Sequence, residues 1–264
     1  MTEKRFIEPF KGIAAPECRG TPYPKYDPAK INESLFTMNA VNTILTNRAL
    51  RLAHPEEVAE IVGGDFILAG GALSSDEFPK DFDIFCSSRM DTREIRNRIV
   101  RKSPQWVTLR ETGNAVTAKH CGQIVQFCKY QAQSAEELIS AFDFSHCQAA
   151  AIFGRDGSLS KTVSTGAFDS YLRYGQTKYT GSHYPLSSLM RCAKFISRGL
   201  IETDREWKPL ICDILTDIVA RGFEDEEDFK DQCTSISESF RDMNNDAWSL
   251  FELLRKPEQI GEKK

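Results

Sequence analysis

The spacing of apolar residues changes twice along the chain. From 35 to 63 apolar positions recur with helical period, which predicts one helix over 34–51, capped by Ser34, and a second that ends at Gly63-Gly64. Between 66 and 163 they alternate or form short runs, which is typical of strands. From 185 onward the helical period returns. The pattern predicts an α+β fold, with a sheet flanked by helices and a helical domain after it.

The predicted elements can be placed from these periods. The predicted strands cover 66–69, 82–86, 106–110, 115–118, 124–130, 147–153 and 159–163. The predicted helices of the same region cover 92–101 and 135–142, and those of the C-terminal region cover 185–199, 206–221, 224–241 and 244–255.

The N-terminal stretch differs from both regions. Residues 1–34 include Pro9, Pro16, Pro22, Pro24 and Pro28, a density that excludes a helix and favours an extended arm. Such an arm lies over its own domain or reaches a protein partner. We therefore predict an extended Pro-rich arm over 1–35, an α+β domain over 36–165 and a helical domain over 166–264.

Composition narrows the class of protein. The chain has 264 residues, of which 41% are hydrophobic and 27% charged, as in ordinary globular proteins. Its net charge is -4 at pH 7, so any contact with nucleic acid has to be a local basic patch. No apolar run reaches the 18 residues that predict a membrane span. We expect a cytoplasmic protein with no membrane partner.

Cysteine and histidine, the usual zinc ligands, are scattered along the sequence. The eight cysteines, at 18, 86, 121, 128, 147, 192, 212 and 233, form no CxxC pair, and the four histidines show no HxxxH spacing. We expect reduced structural cysteines, with zinc ligands as the weaker alternative. His120 and His146 lie near predicted strands and are expected to be hydrogen-bonded structural residues.

The most informative stretch is 66-FILAGGALSSDEFPKDFDIFC-86. An apolar strand runs into Gly70-Gly71, and a second strand begins with Asp81-Phe82-Asp83. Because side chains alternate along a strand, Asp81 and Asp83 share one face. Two adjacent carboxylates repel unless a cation lies between them, and Mg²⁺ (or Mn²⁺) is the natural one. The glycine pair lets backbone N–H groups approach a triphosphate.

Each half of this signal is weak alone. Most isolated DxD sequences are surface carboxylates, and a Gly-Gly pair is often only a turn. The order of strand, glycine pair, short loop and strand-opening DxD within a β-rich region is what favours a site.

Three segments resemble a known family. Gly70-Gly71 with 79-PKDFDI-84 resembles the GG…PKDxDI motif in the head domain of the CCA-adding enzyme and bacterial poly(A) polymerase family, which belongs to the DNA-polymerase-β-type nucleotidyltransferase superfamily. Next, 142-FDFSHCQAAAIF-153 is similar to that family's RRDFTINALAYN strand. The helix 185-PLSSLMRCAKFISRG-199 is similar to its DPLRLLRAARFAARLG helix.

The resemblance implies a nucleotidyltransferase-type mixed sheet and a set of site residues. Asp81 and Asp83 would be catalytic metal ligands, and Asp143, which matches the aspartate of DFT, would be the third. Gly70, Gly71 and Lys80 would bind the nucleotide. The chain also departs from the family: Ala141-Phe142 replaces the paired arginines, and Cys147 replaces the asparagine.

A further departure concerns the strand 124–130. Other branches of the superfamily carry an acidic residue there, whereas this chain has Gln126. An amide in place of a carboxylate weakens metal binding. A site in which Gln126 faces the metal and Asp143 caps a turn would be impaired.

The helix over 185–200 carries a basic stripe. On a helical wheel the apolar residues share one face, and Arg191, Lys194 and Arg198 share the other. This stripe is either a solvated face or a contact to a triphosphate or an anionic acceptor. We assign all three residues to nucleotide binding as a hypothesis.

These observations predict a metal-dependent nucleotidyltransferase that moves an NMP from an NTP to a hydroxyl. The acceptor stays open between an RNA 3′ end, a protein hydroxyl (as for a toxin) and a small molecule. The alternative is a catalytically lapsed fold used for binding or assembly, favoured by Gln126, the missing arginines and the acidic charge. Compact, divergent nucleotidyltransferases occur in phage and viral genomes, which makes a phage or viral origin our expectation.

Overall fold

The computed structural model describes residues 38–74, 79–86, 91–130, 134–197, 200–201 and 207–222. The predicted N-terminal arm, the residue Arg198 and the predicted helices over 224–241 and 244–255 lie outside these residues.

A seven-stranded mixed sheet organises the fold. Its strands, in chain order, are β1 (Phe66–Ala69), β2 (Phe82–Cys86), β3 (Trp106–Glu111), β4 (Ala115–His120), β5 (Gln123–Cys128), β6 (Ala149–Phe153) and β7 (Leu159–Ser164). Their order across the sheet is β3-β4-β5-β2-β1-β6-β7. The pairing of β2 with β5 is parallel, and the other pairings are antiparallel. Strand β2 is therefore a central strand, held by β1 on one side and β5 on the other.

In the part of the chain that the structure describes, seven α-helices surround or follow the sheet. They are α1 (Met38–Ala49), α2 (Pro55–Val62), α3 (Thr92–Arg101), α4 (Ala135–Ser140), α5 (Gly166–Tyr174), α6 (Pro185–Ser197) and α7 (Trp207–Arg221). Three of these helices have an N-cap residue whose side chain accepts a hydrogen bond. Asp91, Ser134 and Thr165 each accept a hydrogen bond from a backbone N–H in the first turn of α3, α4 and α5. None of the described helices is long and apolar enough to span a membrane.

The two faces of the sheet are covered differently. One face carries the main core, where strand residues such as Phe66, Phe82 and Phe127 pack against α1, α2 and α3. The opposite face is covered by a smaller cluster, in which Leu138 and Ile139 of α4 pack on β1 and β6. On the same face, residues of β3, β4 and β5, together with Asp81 before β2, line a cleft.

A third apolar cluster joins the C-terminal helices to the end of the sheet region. Phe144, just before β6, is fully buried among Cys192 and Phe195 of α6 and residues of α7. Helix α6 buries Cys192 and Phe195 in addition to Met190, Ala193 and Ile196, so it is covered around more of its circumference than the predicted apolar face.

The predicted α+β class, with a mixed sheet flanked by helices, is confirmed. The strands appear where apolar alternation predicted them, with ends that differ by a few residues. Helix α5 was missed, although its Thr165 cap is a recognisable start signal. The division into domains at 165/166 stays a prediction. All six cysteines within the described ranges are free thiols.

One histidine is enclosed without full hydrogen bonding. The ring of His146 is buried and packs edge-on against Phe195, with 4.3 Å between ring centroids. Its Nδ1 lies 3.2 Å from the Thr177 hydroxyl, but its buried Nε2 has no hydrogen-bond partner. Burial lowers the pKa of His146 to about 3, because a charged imidazolium there would lose its hydration.

This burial predicts a pH dependence of stability. The unfolded chain takes up a proton at this residue near pH 6.5 and the folded chain does not, so the contribution is full above pH 6.5 and is lost as pH falls towards 3. Between pH 7 and pH 5 wild type should lose about 2 kcal/mol of unfolding free energy that His146→Gln does not lose. Urea titrations at both pH values measure it. His183→Gln, at an exposed position, should behave as wild type; parallel losses in wild type and His146→Gln would contradict the prediction.

Candidate nucleotide and metal site

The aspartate pair lies at the start of the central strand β2, on the face of the sheet opposite the main core. Asp83 is paired with Ala69 of β1 and with Gln126 of β5, and residues paired in this way share a face. Its neighbours Phe82 and Ile84 are fully buried in the main core on the other face. Asp83 must therefore project from the opposite face, the same face as Gln126.

Asp81 lies on the same side, one residue before β2. Both aspartates are half-buried. The thiol of Cys128 on β5 is affected by the charges of both aspartates. Burial raises the pKa of this thiol most, and the negative charges of Asp83, Cys86 and Asp81 raise it further. Two carboxylates thus lie along one strand, above the same part of the sheet.

The two glycines after β1 differ in their role. Gly70 is buried with φ +82°, a left-handed conformation that side chains other than glycine rarely adopt. A Cβ atom built on Gly70 would lie 3.4 Å from Oδ2 of Asp83, so the turn passes directly beside that carboxylate. Gly71 is exposed, and a Cβ there would meet nothing within 4 Å. Both begin a 3-10 turn over Gly70–Leu73.

A polar cleft of about 430 Å³ lies over strands β2 to β5. Its walls combine one carboxylate, two cations, several neutral polar groups and three apolar residues; they are Asp81, Leu109, Arg110, Thr112, Asn114, Ala115, Thr117, Ile124, Gln126 and Lys194. The volume is within the range of small-molecule sites. A polar ligand with several negative charges fits this lining, because the positive charges of Arg110 and Lys194 would attract it.

Arg110 was not predicted as a site residue. The pairing of β3 with β4 shifts between Thr108 and Arg110, which marks a bulge in β3. A bulge changes the direction in which side chains point, and here both Leu109 and Arg110 line the cleft. Simple alternation would put these neighbours on opposite faces, so the sequence offered no signal for Arg110.

Asp143 and Arg191 contact each other. Nε and Nη2 of Arg191 donate to Oδ2 of Asp143 at 2.8 and 2.6 Å, and Nη2 also lies 3.3 Å from the Ser188 hydroxyl. The Asp143 side chain is 10% exposed and that of Arg191 37%. The residue predicted to bind metal and the residue predicted to bind phosphate thus form a charge-assisted pair. Asp143 does not cap a turn with its side chain.

The pKa of the Cys147 thiol responds to charges of the Asp143–Arg191 pair and to those of Asp83 and Lys194. Burial raises its pKa most, and Asp143 raises it further; Arg191 lowers it, Asp83 raises it and Lys194 lowers it. Cys147 is the last residue of the 3-10 turn over Ser145–Cys147, just before β6. The resembled family has asparagine at this position.

The three aspartates do not form a preassembled trio. Within the described ranges, groups of three or more potential ligand atoms lying within 4.8 Å of one another involve His54, Glu56, Glu57, His120 and Cys121, and none of the aspartates. The donor chemistry on the Asp81/Asp83 side still suits Mg²⁺, since two carboxylates and the Gln126 amide supply oxygen ligands. Gln126 contributes no charge.

Two other predicted residues have simple positions. Lys80 is exposed next to Asp81. Lys194 is half-buried and lines the cleft together with Asp81 and Gln126, so α6 does supply a cation to this face.

Solved structures similar to this chain include CCA-adding enzymes and a tRNA nucleotidyltransferase. A CCA-adding enzyme in complex with ATP has a TM-score of 0.49 and 13% identity, covering 81% of this chain and 53% of that one. A tRNA nucleotidyltransferase complexed with a primer tRNA and an incoming ATP analog has a TM-score of 0.45 and 13% identity, covering 78% and 65%. The Thermotoga maritima CCA-adding enzyme complexed with tRNA has a TM-score of 0.43 and 12% identity, covering 77% and 54%. The chain thus spans less than two thirds of each.

A family model described as Gabija anti-defense 2 family protein matches residues 34–159, just under half of the chain. The matched segment includes Gly70, Asp81, Asp83, Gln126 and Asp143, and ends before α5. A search of curated proteins found no match.

The geometry of the two glycines leads to a stability test. Gly70→Ala should lower the free energy of unfolding by about 1–2 kcal/mol, because alanine resists the left-handed conformation. Gly71→Ala should change it by less than about 0.5 kcal/mol, since the site is exposed and open. Urea denaturation measures both. Equal losses at the two positions would show that the Gly70 turn is not specifically required.

Proposed function

We propose that this protein is a metal-dependent nucleotidyltransferase that moves an NMP from an NTP to a hydroxyl acceptor, with Asp81 and Asp83 at its centre. The observation that carries the proposal is that both aspartates lie on the face of the sheet opposite the main core. On that face Asp83 lies beside the Gly70 turn, and Asp81 lines a polar cleft that also includes Arg110 and Lys194.

The cofactor in this proposal is Mg²⁺ or Mn²⁺, held by Asp81 and Asp83 with the Gln126 side-chain oxygen as a neutral donor. When bound, such an ion neutralises charge on a triphosphate and favours ionisation of the acceptor hydroxyl. The chain supplies positioning: the Gly70-Gly71 turn admits phosphate close to backbone, and Lys194 and Arg110 offset the negative charge of the triphosphate. Lys80, exposed beside Asp81, is a further phosphate contact in this proposal.

Asp143 enters the proposal through its partner. Two guanidinium N–H groups of Arg191 donate to Oδ2 of its carboxylate. Asp143 would therefore bind a metal ion through Oδ1, with Arg191 holding the carboxylate in place. Arg191 would contact the triphosphate if the pair opened, and Arg198 is assigned to the same basic stripe of the helix.

The acceptor is suggested by the comparisons. CCA-adding enzymes and tRNA nucleotidyltransferases are among the similar structures, which makes an RNA 3′ end one candidate acceptor. The matched family name refers to action against the Gabija defence system, which makes a component of that system the second candidate. The N-terminal arm remains our proposed contact to a protein partner.

The test is transfer of label from each α-³²P-labelled NTP, with Mg²⁺ or Mn²⁺. Total RNA and an extract of cells that express the Gabija system serve as the two acceptors. We expect transfer by wild type with at least one combination. Asp81→Asn and Asp83→Asn should each lower the rate by roughly 100-fold or more, beyond the 10–100-fold typical of losing an outer-shell partner. Each removes one charge at nearly constant shape.

Two sets of controls make the result specific. Asp213→Asn, at an exposed aspartate on α7, should transfer label at the wild-type rate.

The role of Asp143 is tested by a second pair of variants. If Asp143 binds the metal, Asp143→Asn should abolish transfer while Arg191→Gln leaves metal affinity intact or increases it. If the pair is only structural, both variants should lower the melting temperature and the rate together. Transfer that survives Asp81→Asn and Asp83→Asn would overturn the proposed site.

A second candidate function is favoured by one observation. Gln126 is the direct partner of Asp83 and lines the cleft, so it occupies a place where a third carboxylate would have to stand. With Asp143 paired to Arg191, the described site holds two carboxylates for a divalent ion. This favours a catalytically lapsed fold that binds a nucleotide or partner without chemistry.

The substitution Gln126→Glu distinguishes the two functions. An added carboxylate beside Asp83 should raise Mg²⁺ affinity about tenfold or more, measured by calorimetry in the presence of a non-hydrolysable NTP. If wild type is inactive and Gln126→Glu transfers label, the native site is a lapsed one. If wild type is active and the variant gains only metal affinity, it is an enzyme that works with two permanent carboxylates. An unchanged affinity would show that Gln126 does not face the ion.

A further inference from the structure

We propose a second, independent metal site of the zinc type, formed by His54, His120 and Cys121. A ring nitrogen of each histidine and the Cys121 sulfur all lie within 4.8 Å of one another. Sγ of Cys121 lies 3.3 Å from Nε2 of His120. In a tetrahedral site with bonds of 2.0–2.3 Å, ligand atoms are about 3.3–3.6 Å apart, so this group is close to ligating geometry.

The backbone at two of these residues supports the proposal. Cys121 has φ 48° and, with Gly122, forms the two-residue turn between β4 and β5. Such turns favour asparagine or aspartate at the first position, so cysteine there is an unfavourable choice for the turn alone. His54 also has a left-handed backbone, with φ 53°, at the N-cap of α2, yet its side chain makes no capping hydrogen bond. Strained positions of this kind are concentrated at functional sites.

The surroundings of His120 match those of a metal-binding histidine. Its Nδ1 lies 3.1 Å from the Gln105 carbonyl, to which it would donate, leaving Nε2 as the free electron pair facing Cys121. Metal-bound histidines usually donate their other N–H in this way. The ring is also stacked on Trp106, with 4.3 Å between centroids, so its orientation is set by packing.

A fourth potential ligand, the Glu57 carboxylate, lies nearby. Oε2 of Glu57 lies 3.8 Å from Nε2 of His120, and Oε1 lies 3.9 Å from Nδ1 of His54. The indole N–H of Trp106 donates to the Glu57 carboxylate at 2.6 Å and orients it. Two imidazoles, a thiolate and a carboxylate are the ligand types of Zn²⁺. With all four engaged the site is closed, which indicates a structural ion that ties the start of α2 to the β4–β5 turn.

This site is separate from the nucleotide cleft. His120 follows Val116 and Ala118 on the alternating pattern of β4, and both belong to the main core. It therefore points to the opposite face from Thr117 and Gln126, which line the cleft. Nitrogen and sulfur donors also select a softer ion than the oxygen donors around Asp81 and Asp83.

The test uses the full chain after dialysis against chelator, titrated with Co²⁺ and Zn²⁺. We expect one equivalent of Co²⁺ to give tetrahedral d–d bands and a thiolate charge-transfer band, and Zn²⁺ to displace it. Zn²⁺ at a hundredfold excess over Kd should raise the melting temperature by about 5 °C or more. Cys121→Ser should remove the charge-transfer band, and His54→Gln should weaken Zn²⁺ binding at least tenfold. Cys212→Ser, an exposed thiol on α7, should match wild type.

Two further variants keep the outcome decisive. Cys121→Asn relieves the strain of the turn, so it should melt at or above the wild-type temperature without metal and show no rise with Zn²⁺. Asp81→Asn/Asp83→Asn should bind Zn²⁺ as wild type does, which separates this site from the proposed function. Wild-type Zn²⁺ affinity and an unchanged charge-transfer band in Cys121→Ser, or no Zn²⁺ binding by wild type, would overturn the proposal.

Discussion

The pairing of β2 with β1 on one side and with β5 on the other is the constraint on which the rest of the structure depends. Phe82 and Ile84 are fully buried by this pairing on one face, and alternation then leaves Asp81 and Asp83 on the other. The same register brings Gln126 beside Asp83 and holds the Gly70 turn next to its carboxylate. A shift of one residue would bury two charges, so hydrophobic burial and site geometry are enforced by the same hydrogen bonds.

The second determinant is how the faces of the sheet are covered. Helices α1, α2 and α3 pack on one face, whereas α4 packs on the other face near β1, β6 and β7. That face also carries a cleft into which α6 supplies Lys194 and the β3 bulge supplies Arg110. The cleft carries less negative charge than three free carboxylates would give it. Asp143 is paired with Arg191, and the partner of Asp83 on β5 is the neutral amide Gln126.

Much of the fold was predictable, and the reasons are local. Strand alternation and helical periodicity depend on which face of each element is apolar, and that pattern is written in the chain. The prediction for Asp81 and Asp83 needed only the alternation of one strand. Other features could not be predicted, because they depend on contacts between distant segments: the bulge that turns Arg110 into the cleft, the pairing of Asp143 with Arg191 across 48 positions, and the enclosure of His146.

The grouping of His54 with His120 and Cys121 shows the same division. The sequence by itself determined the elements, the central DxD strand, the glycine turn and the absence of any CxxC or HxxxH spacing. It could not reveal that a helix start and a hairpin turn, 66 or more positions apart, would bring two imidazoles and a thiol within 4.8 Å. Only the tertiary structure decided that, because strand order sets which loops meet at each end of a sheet. Local pattern specifies the elements, and long-range pairing specifies the neighbours.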